Sequence, residues 1–300
     1  MQYHDPSRQA VVACLILIIL SWGTNYPLMK VALQDIPPLA FAAVRIMGGA
    51  LFLGILIYFT RPSALLPPPG ERCILGLVGV LQYAAVLGPA GMALYWVPPG
   101  RTVAIVYTMP IWAALFDCLL MRKRLCALQW TGILISVVGI LLFMDPGVLD
   151  WNHGGTRVGL GLAVMAAASW GLGAVLYGSR QWQSSLMCQA FWQLCVAGAA
   201  LGVSAALIEF PMQIRYSRSL VLIMLWNWLV PVSLSVWAWG RVLEHIPASL
   251  ASQALLCTPF VGIALSAVIF RESLPPVFAA SALIIMMGAS LALLRPSLRP

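Results

Sequence analysis

Side chains able to do chemistry are few in this sequence, and most of them interrupt apolar stretches. Trp22 and Asn25 are three residues apart and therefore share one face of a helix. Gln82 and Tyr83 break a third apolar run, and Tyr107 stands one turn before Pro110. Trp170 and Tyr177, seven apart, share a face with Gly173 and Ala174. Asn227 aligns with Pro231 and Ser235, and Gln253 with Ser249 and Cys257. An amide in hydrocarbon without a partner costs several kcal/mol, so these groups must turn inward. There they either bond a neighbouring helix or line a wet cavity. Spread over corresponding helices of two halves, the set favours a cavity for a small molecule.

Two charges fall inside apolar runs. Arg45 lies about seven residues into the second run, close enough for its long side chain to reach the interface or a pocket. An intramembrane charge is by default a functional candidate. Asp117 lies near the end of the fourth run, close to Arg122, where an ion pair or a proton-coupling role is open. A lining of aromatics and amides suits an amphipathic zwitterion. It suits a polyanion less well, because such solutes attract several arginines.

Catalysis finds no footing. The sequence has no HExxH, GxSxG or GxxxxGK[ST], so zinc proteolysis, α/β-hydrolase chemistry and Walker-type nucleotide use lose their motifs. Three histidines and seven cysteines without a CxxC pair leave no metal or disulfide framework in view. No catalytic residue, metal or cofactor is expected.

What positions such residues is a set of membrane helices. With 61% hydrophobic and 9% charged residues and a mean hydropathy of +0.92, the chain cannot cover a water-facing surface. A helix crossing the roughly 30 Å hydrocarbon core needs about 20 apolar residues. Ten such windows occur, near 10–33, 38–60, 73–96, 101–121, 126–145, 157–178, 185–209, 219–240, 248–270 and 275–294. The runs stay apolar throughout rather than alternating, which rejects a β-barrel. The expectation is an all-α, polytopic protein forming a single membrane domain over residues 1–300. The first run continues past Trp22 without a cleavage pattern and reads as a retained helix rather than a signal peptide. Trp96, Trp151 and Trp182 fall at run ends, where interfacial belts collect tryptophan.

The two halves repeat. Shifted by 149 residues, Pro98 meets Pro247, Pro110 meets Pro259, Arg122 meets Arg271 and Gly139 meets Gly288. At one residue less, Ser21-Trp22-Gly23 meets Ser169-Trp170-Gly171. Repeat one covers about 10–145 and repeat two about 157–294. Five spans per half is an odd number, so the second half enters from the opposite side and the repeats are inverted. Such halves can exchange shapes around a central site, and matched Gly/Pro interruptions point to it. Pro110 and Pro259 are thus candidate hinges.

The stretch Ile246-Pro247-Ala248-Ser249-Leu250-Ala251 through Pro259 to Arg271-Glu272-Ser273-Leu274 resembles the second repeat of the EamA-type transporters of the drug/metabolite transporter superfamily. Ser21-Trp22-Gly23-Thr24-Asn25-Tyr26 resembles that family's opening motif, and Pro37-Pro38 with Arg45 its second helix. The resemblance implies a secondary exporter of small organic metabolites working without ATP by alternating access. Amino acids, aromatic or other neutral ones, lead as substrates. A multidrug or nucleoside-type exporter is the alternative, and a non-transporting membrane scaffold the reading from another class. Lys123 in the first repeat stands where the second has Glu272, which weighs against a coupling role at that position.

With the N-terminus inside, ten basic residues, among them Arg122, Lys123 and Arg124, face the cytoplasm and six face outward. The positive-inside rule then places both termini in the cytoplasm, in a cytoplasmic (inner) membrane. The net charge of +8 suits anionic lipid, while its scatter over many loops excludes nucleic acid. A monomer is the simplest expectation. Single cysteines in a cysteine-free background test the orientation. His153→Cys should react with an impermeant thiol reagent from outside and Arg299→Cys should not; the reverse pattern would overturn it.

Overall fold

In hydrocarbon each backbone N–H and C=O has to bond within its own segment, so long apolar runs fold as helices. The computed structural model describes residues 8–60, 65–122, 126–144, 154–243, 255, 257–271 and 276–293, and among these no strand occurs. The first span is α1 (Arg8–Gly23) continued by α2 (Asn25–Ala32), and the second is α3 (Pro38–Thr60). The third joins α4 (Pro69–Gly79) to α5 (Ala85–Ala93) through a π-helical turn at Val80–Ala84. The fourth is α6 (Pro99–Val106) and α7 (Met109–Met121), and the fifth α8 (Ala127–Met144). In the second half, α9 (Gly154–Gly178) and α10 (Leu186–Ile208) are unbroken. The eighth span joins α11 (Arg218–Asn227) to α12 (Ser235–Leu243) through a π-helical turn at Trp228–Leu234. Leu255 and α13 (Thr258–Phe270) belong to the ninth, and α14 (Pro276–Leu293) is the tenth. Among the described residues seven spans are long and apolar enough to cross a membrane by length and composition; α8, α13 and α14 carry the shorter apolar cores.

The repeat is written into the elements. Adding 149 to the bounds of α7 and α8 gives those of α13 and α14, and the two π-helical turns overlap at the same offset. Pro110 and Pro259 each stand in the first turn of α7 and α13, where a missing N–H costs nothing. Arg122 and Arg271 cap these helices, both in the left-handed region at φ 53°.

Packing obeys the same exchange. The first span packs on the eighth and the sixth on the third, while the second pairs with the seventh, the fourth with the ninth and the fifth with the tenth. Exchanging the halves maps this pattern onto itself, as a pseudo-two-fold axis in the membrane plane requires. In the last pair Ser136 Oγ donates to Ile285 O at 3.4 Å, between repeat-related positions. The fold is ten membrane helices in two inverted five-helix repeats.

The Ser-Trp-Gly motif now has a physical account. Successive helix residues point about 100° apart. Ser21 therefore meets Ser235 of the eighth span while Gly23 lies against α13. In the sixth span Ser169 Oγ donates to Leu81 O of the third at 2.9 Å, and Gly171 lies against α7. A Cβ on Gly23 would sit 2.8 Å from Thr258 O, and one on Gly171 2.7 Å from Ala113 N. Backbone is that close to backbone, which leaves room only for glycine.

One boundary moves. The third span begins at Pro69, not Cys73, and ends at Ala93, not Trp96. Glu71 and Arg72 look like loop residues in sequence, yet an acid in the first turn favours the helix N-terminus. They form that turn behind Pro69 at its start.

Two glycines of α9 test the close-packing argument. Gly161→Ala meets nothing within 4 Å and should be neutral or stabilising by up to about 1 kcal/mol from helix propensity. Gly171→Ala should instead lose about 1–3 kcal/mol through overpacking. Unfolding in detergent should separate the two variants in that order.

Candidate functional site

Backbone irregularities converge on one place. The first span breaks at Thr24 and the fourth at Tyr107-Thr108, the third and eighth carry π-helical turns, and Cys257 precedes α13. Each break frees main-chain groups from helical bonds, and non-helical backbone at this depth survives only inside protein or beside a cavity. Side chains satisfy several of them. Thr24 Oγ1 donates to Ser21 O at 3.0 Å, and Thr108 Oγ1 to Ile105 O at 2.7 Å. Ser233 Oγ donates to Trp228 O at 2.6 Å and Ser235 Oγ to Val230 O at 2.9 Å. Trp22 Nε1 donates across the half-to-half contact to Pro231 O at 3.1 Å.

The breaks border a cavity with about 830 Å³ of empty space, including its mouth. The first span contributes Trp22, Asn25, Tyr26 and Met29, and the second Arg45 and Ile46. Gln82, Tyr83, Val86 and Leu87 come from the third, and Val106, Tyr107 and Met109 from the fourth. The second half adds Trp170, Leu194, Pro231, Val232 and Val236. All but Met29 lie away from the ends of their spans, so the site sits within the bundle and belongs to both halves.

Its polar floor is one connected chain. Arg45 is only 7% exposed. Asn25 is turned so that Oδ1 accepts from Arg45 Nη2 at 2.5 Å and Nη1 at 3.2 Å, while Nδ2 donates to Asn227 Oδ1 at 3.0 Å. Asn227 Nδ2 donates to Ile223 O at 2.8 Å, closing the chain on backbone. Three spans from two halves are tied together through Asn25. Arg45 Nε is buried without a hydrogen-bond partner.

Of the residues singled out in sequence, Trp22, Asn25, Gln82, Tyr83, Tyr107 and Trp170 line the cavity together. Arg45 joins them rather than snorkelling outward. Asn227 stands one layer behind, fully buried, orienting Asn25. Tyr177 is not at the wall: its hydroxyl donates to Gln189 Oε1 and its ring stacks on Trp182 at 5.3 Å. It shares a helix face with Trp170, but seven residues carry it a further 10 Å or so along the axis, behind Tyr83 rather than in the lining. Asp117 is half-buried in α7, away from the lining residues. Gln253 and Trp151 lie outside the described residues. Tyr26 and Met29 escaped notice, although their spacing of four and seven from Trp22 places them on one helical stripe.

Comparison with known proteins agrees with this architecture. The EamA-like transporter family model matches residues 9–144 and again 157–294. The uncharacterized transporter YoaV of Bacillus subtilis is 24% identical, covering 84% of this chain and 86% of its own. The uncharacterized inner membrane transporter YedA of Escherichia coli K12 is 25% identical, covering 87% and 83%. A probable amino-acid metabolite efflux pump of Salmonella typhimurium is 27% identical over 91% of both chains. A solved crystal structure superposes with a TM-score of 0.68 at 19% identity, covering 95% of each chain, which shows a shared fold.

The buried chain can be cut at its far end. Asn227→Leu removes the acceptor for Asn25 Nδ2 and leaves that donor orphaned, which should destabilise the protein by about 1–3 kcal/mol. Thermal unfolding in detergent measures this, and an unchanged midpoint would show that the link carries no weight.

Proposed function

This chain belongs to the EamA-like transporter family, and from that membership and the cavity we propose that it exports neutral amino acids, aromatic or aliphatic. It is a multi-pass membrane transporter. The finer reading is alternating access across the cytoplasmic membrane, with both termini inside and one membrane unit built from both repeats. The observation that carries it is the cavity itself, aromatic and amide-lined, between halves that pack by exchange. Trp22, Tyr26, Tyr83, Tyr107 and Trp170 offer ring faces to an apolar or aromatic side chain and to an ammonium group. Gln82 and Asn25 offer amides that fix orientation. Relatives named as amino-acid metabolite efflux pumps support this substrate class.

Liposomes containing only this protein test the reading. Preloaded with unlabelled L-phenylalanine or L-leucine, they should accumulate the same labelled amino acid by counterflow, and Trp170→Ala should reduce this at least about tenfold by removing a ring from the wall. Counterflow with nucleosides or lipophilic cations but no amino acid would overturn it.

Pro110 and Pro259 are proposed as hinges. Pro110 follows the break between α6 and α7 and Pro259 stands at the corresponding start of α13; proline lacks the N–H that would bond the carbonyl four residues back, Val106 or Leu255. Alanine restores that donor and lets the halves of the span fuse. Pro110→Ala and Pro259→Ala should lower turnover several-fold with a smaller change in apparent affinity, since no lining side chain is lost. Wild-type initial rates per folded molecule would show that the breaks are architecture and not hinges.

A further inference from the structure

The geometry points to Arg45 as a carboxylate-binding subsite of the cavity, recognising the acid group of a small monocarboxylate or zwitterion; this rests on the export reading for its substrate class. Arg45 lines the cavity, is buried, and sits two turns into α3. A guanidinium there is costly unless an anion or several acceptors face it. It has one neutral acceptor, Asn25 Oδ1, which takes bonds from both Nη atoms, while Nε has none.

Among the described residues no carboxylate is in place to neutralise it. Among the described residues the acids are committed elsewhere. Asp35 pairs with Arg215 and Ser217. Glu209 accepts from the Leu39 and Ala40 amides at the start of α3, both at 2.8 Å. Glu71 accepts from Gln183 N and Ser184 Oγ. Asp117 lies in α7 away from the lining residues, and no lining residue is acidic. Among the described residues the cavity therefore carries one positive charge with no acid in its lining.

That charge is also asymmetric. The repeat-related position in α10 is Gln193, so one half bears it alone. A single guanidinium matches one carboxylate, which its planar fork binds side-on through Nε and Nη. Two or more phosphates would call for further cations. Asn25 and Asn227 hold the guanidinium in place from behind, so the ligand meets a pre-oriented donor edge. Cationic amides and esters of the same body would face a like charge with no compensating acid.

The test compares acids with their amides on the full-length protein in lipid nanodiscs. The probes are L-phenylalanine, 3-phenylpropionate, L-phenylalaninamide and 3-phenylpropionamide, with affinity read by calorimetry or by thermal stabilisation. Each acid should bind roughly 10- to 100-fold more tightly than its amide, the size of one charge-assisted contact. Arg45→Gln should bring the ratio near one, mainly by weakening the acids, and Arg45→Lys should retain part of the preference. Equal binding of acid and amide by the wild type, no binding of either acid, or an undiminished ratio in Arg45→Gln would overturn the proposal. Acid binding that depends on Arg45 without counterflow of any amino acid would end the export reading and leave the subsite standing. Counterflow of amino acids inhibited equally by acids and amides would do the reverse.

Discussion

A guanidinium buried within membrane-spanning helices has to be solvated largely by protein, and much of this structure is arranged around that demand. Arg45 finds Asn25, Asn25 finds Asn227, and Asn227 closes on the Ile223 carbonyl. Those residues come from three spans and both halves. They stand beside the places where helices break or loosen, at Thr24 and at the π-helical turn Trp228–Leu234. A regular helix would bond its own backbone and give the site no irregular wall. Serines, threonines and Trp22 satisfy the freed carbonyls locally, so the loosened backbone is stable without water.

The exchangeable packing gives the cavity its mechanical setting. Close backbone approach at Gly23 with α13 is repeated at Gly171 with α7, and the Gly139 and Gly288 contacts seat α8 against α14. These rigid seams surround breaks that fall in corresponding spans. Tight seams and loose breaks in alternation are what a two-state bundle needs, because close-packed interfaces switch between arrangements rather than deform smoothly. The symmetry is incomplete where chemistry enters. The first span is broken and its partner α9 is continuous, and Arg45 answers to Gln193.

Much of this was legible in sequence because lipid imposes a severe rule on composition. The spans, their number and the 149-residue register follow from apolar length and matched prolines and glycines. The bounds of α3 agree residue for residue because Pro38 opens it and Arg61 follows it. The π-helical turns were not legible: Gln82, Tyr83 and Pro231 interrupt these runs, but such interruptions do not distinguish a π-helical turn from a kinked α-helix. Nor was the orientation of Arg45, which depends on Asn25 and Asn227 meeting it from other spans. Tyr177 shows the limit of face arguments: helical angle placed it beside Trp170, and axial distance took it away.

The central claim is that this cavity is the path itself, reached from each side in turn. A single cysteine replacing Gln82, in a protein without other cysteines, tests it most directly. Small membrane-impermeant thiosulfonates should modify it from outside in right-side-out vesicles and from inside in inverted ones, with substrate slowing both rates. Modification from one face only, or from neither, during turnover would contradict the account.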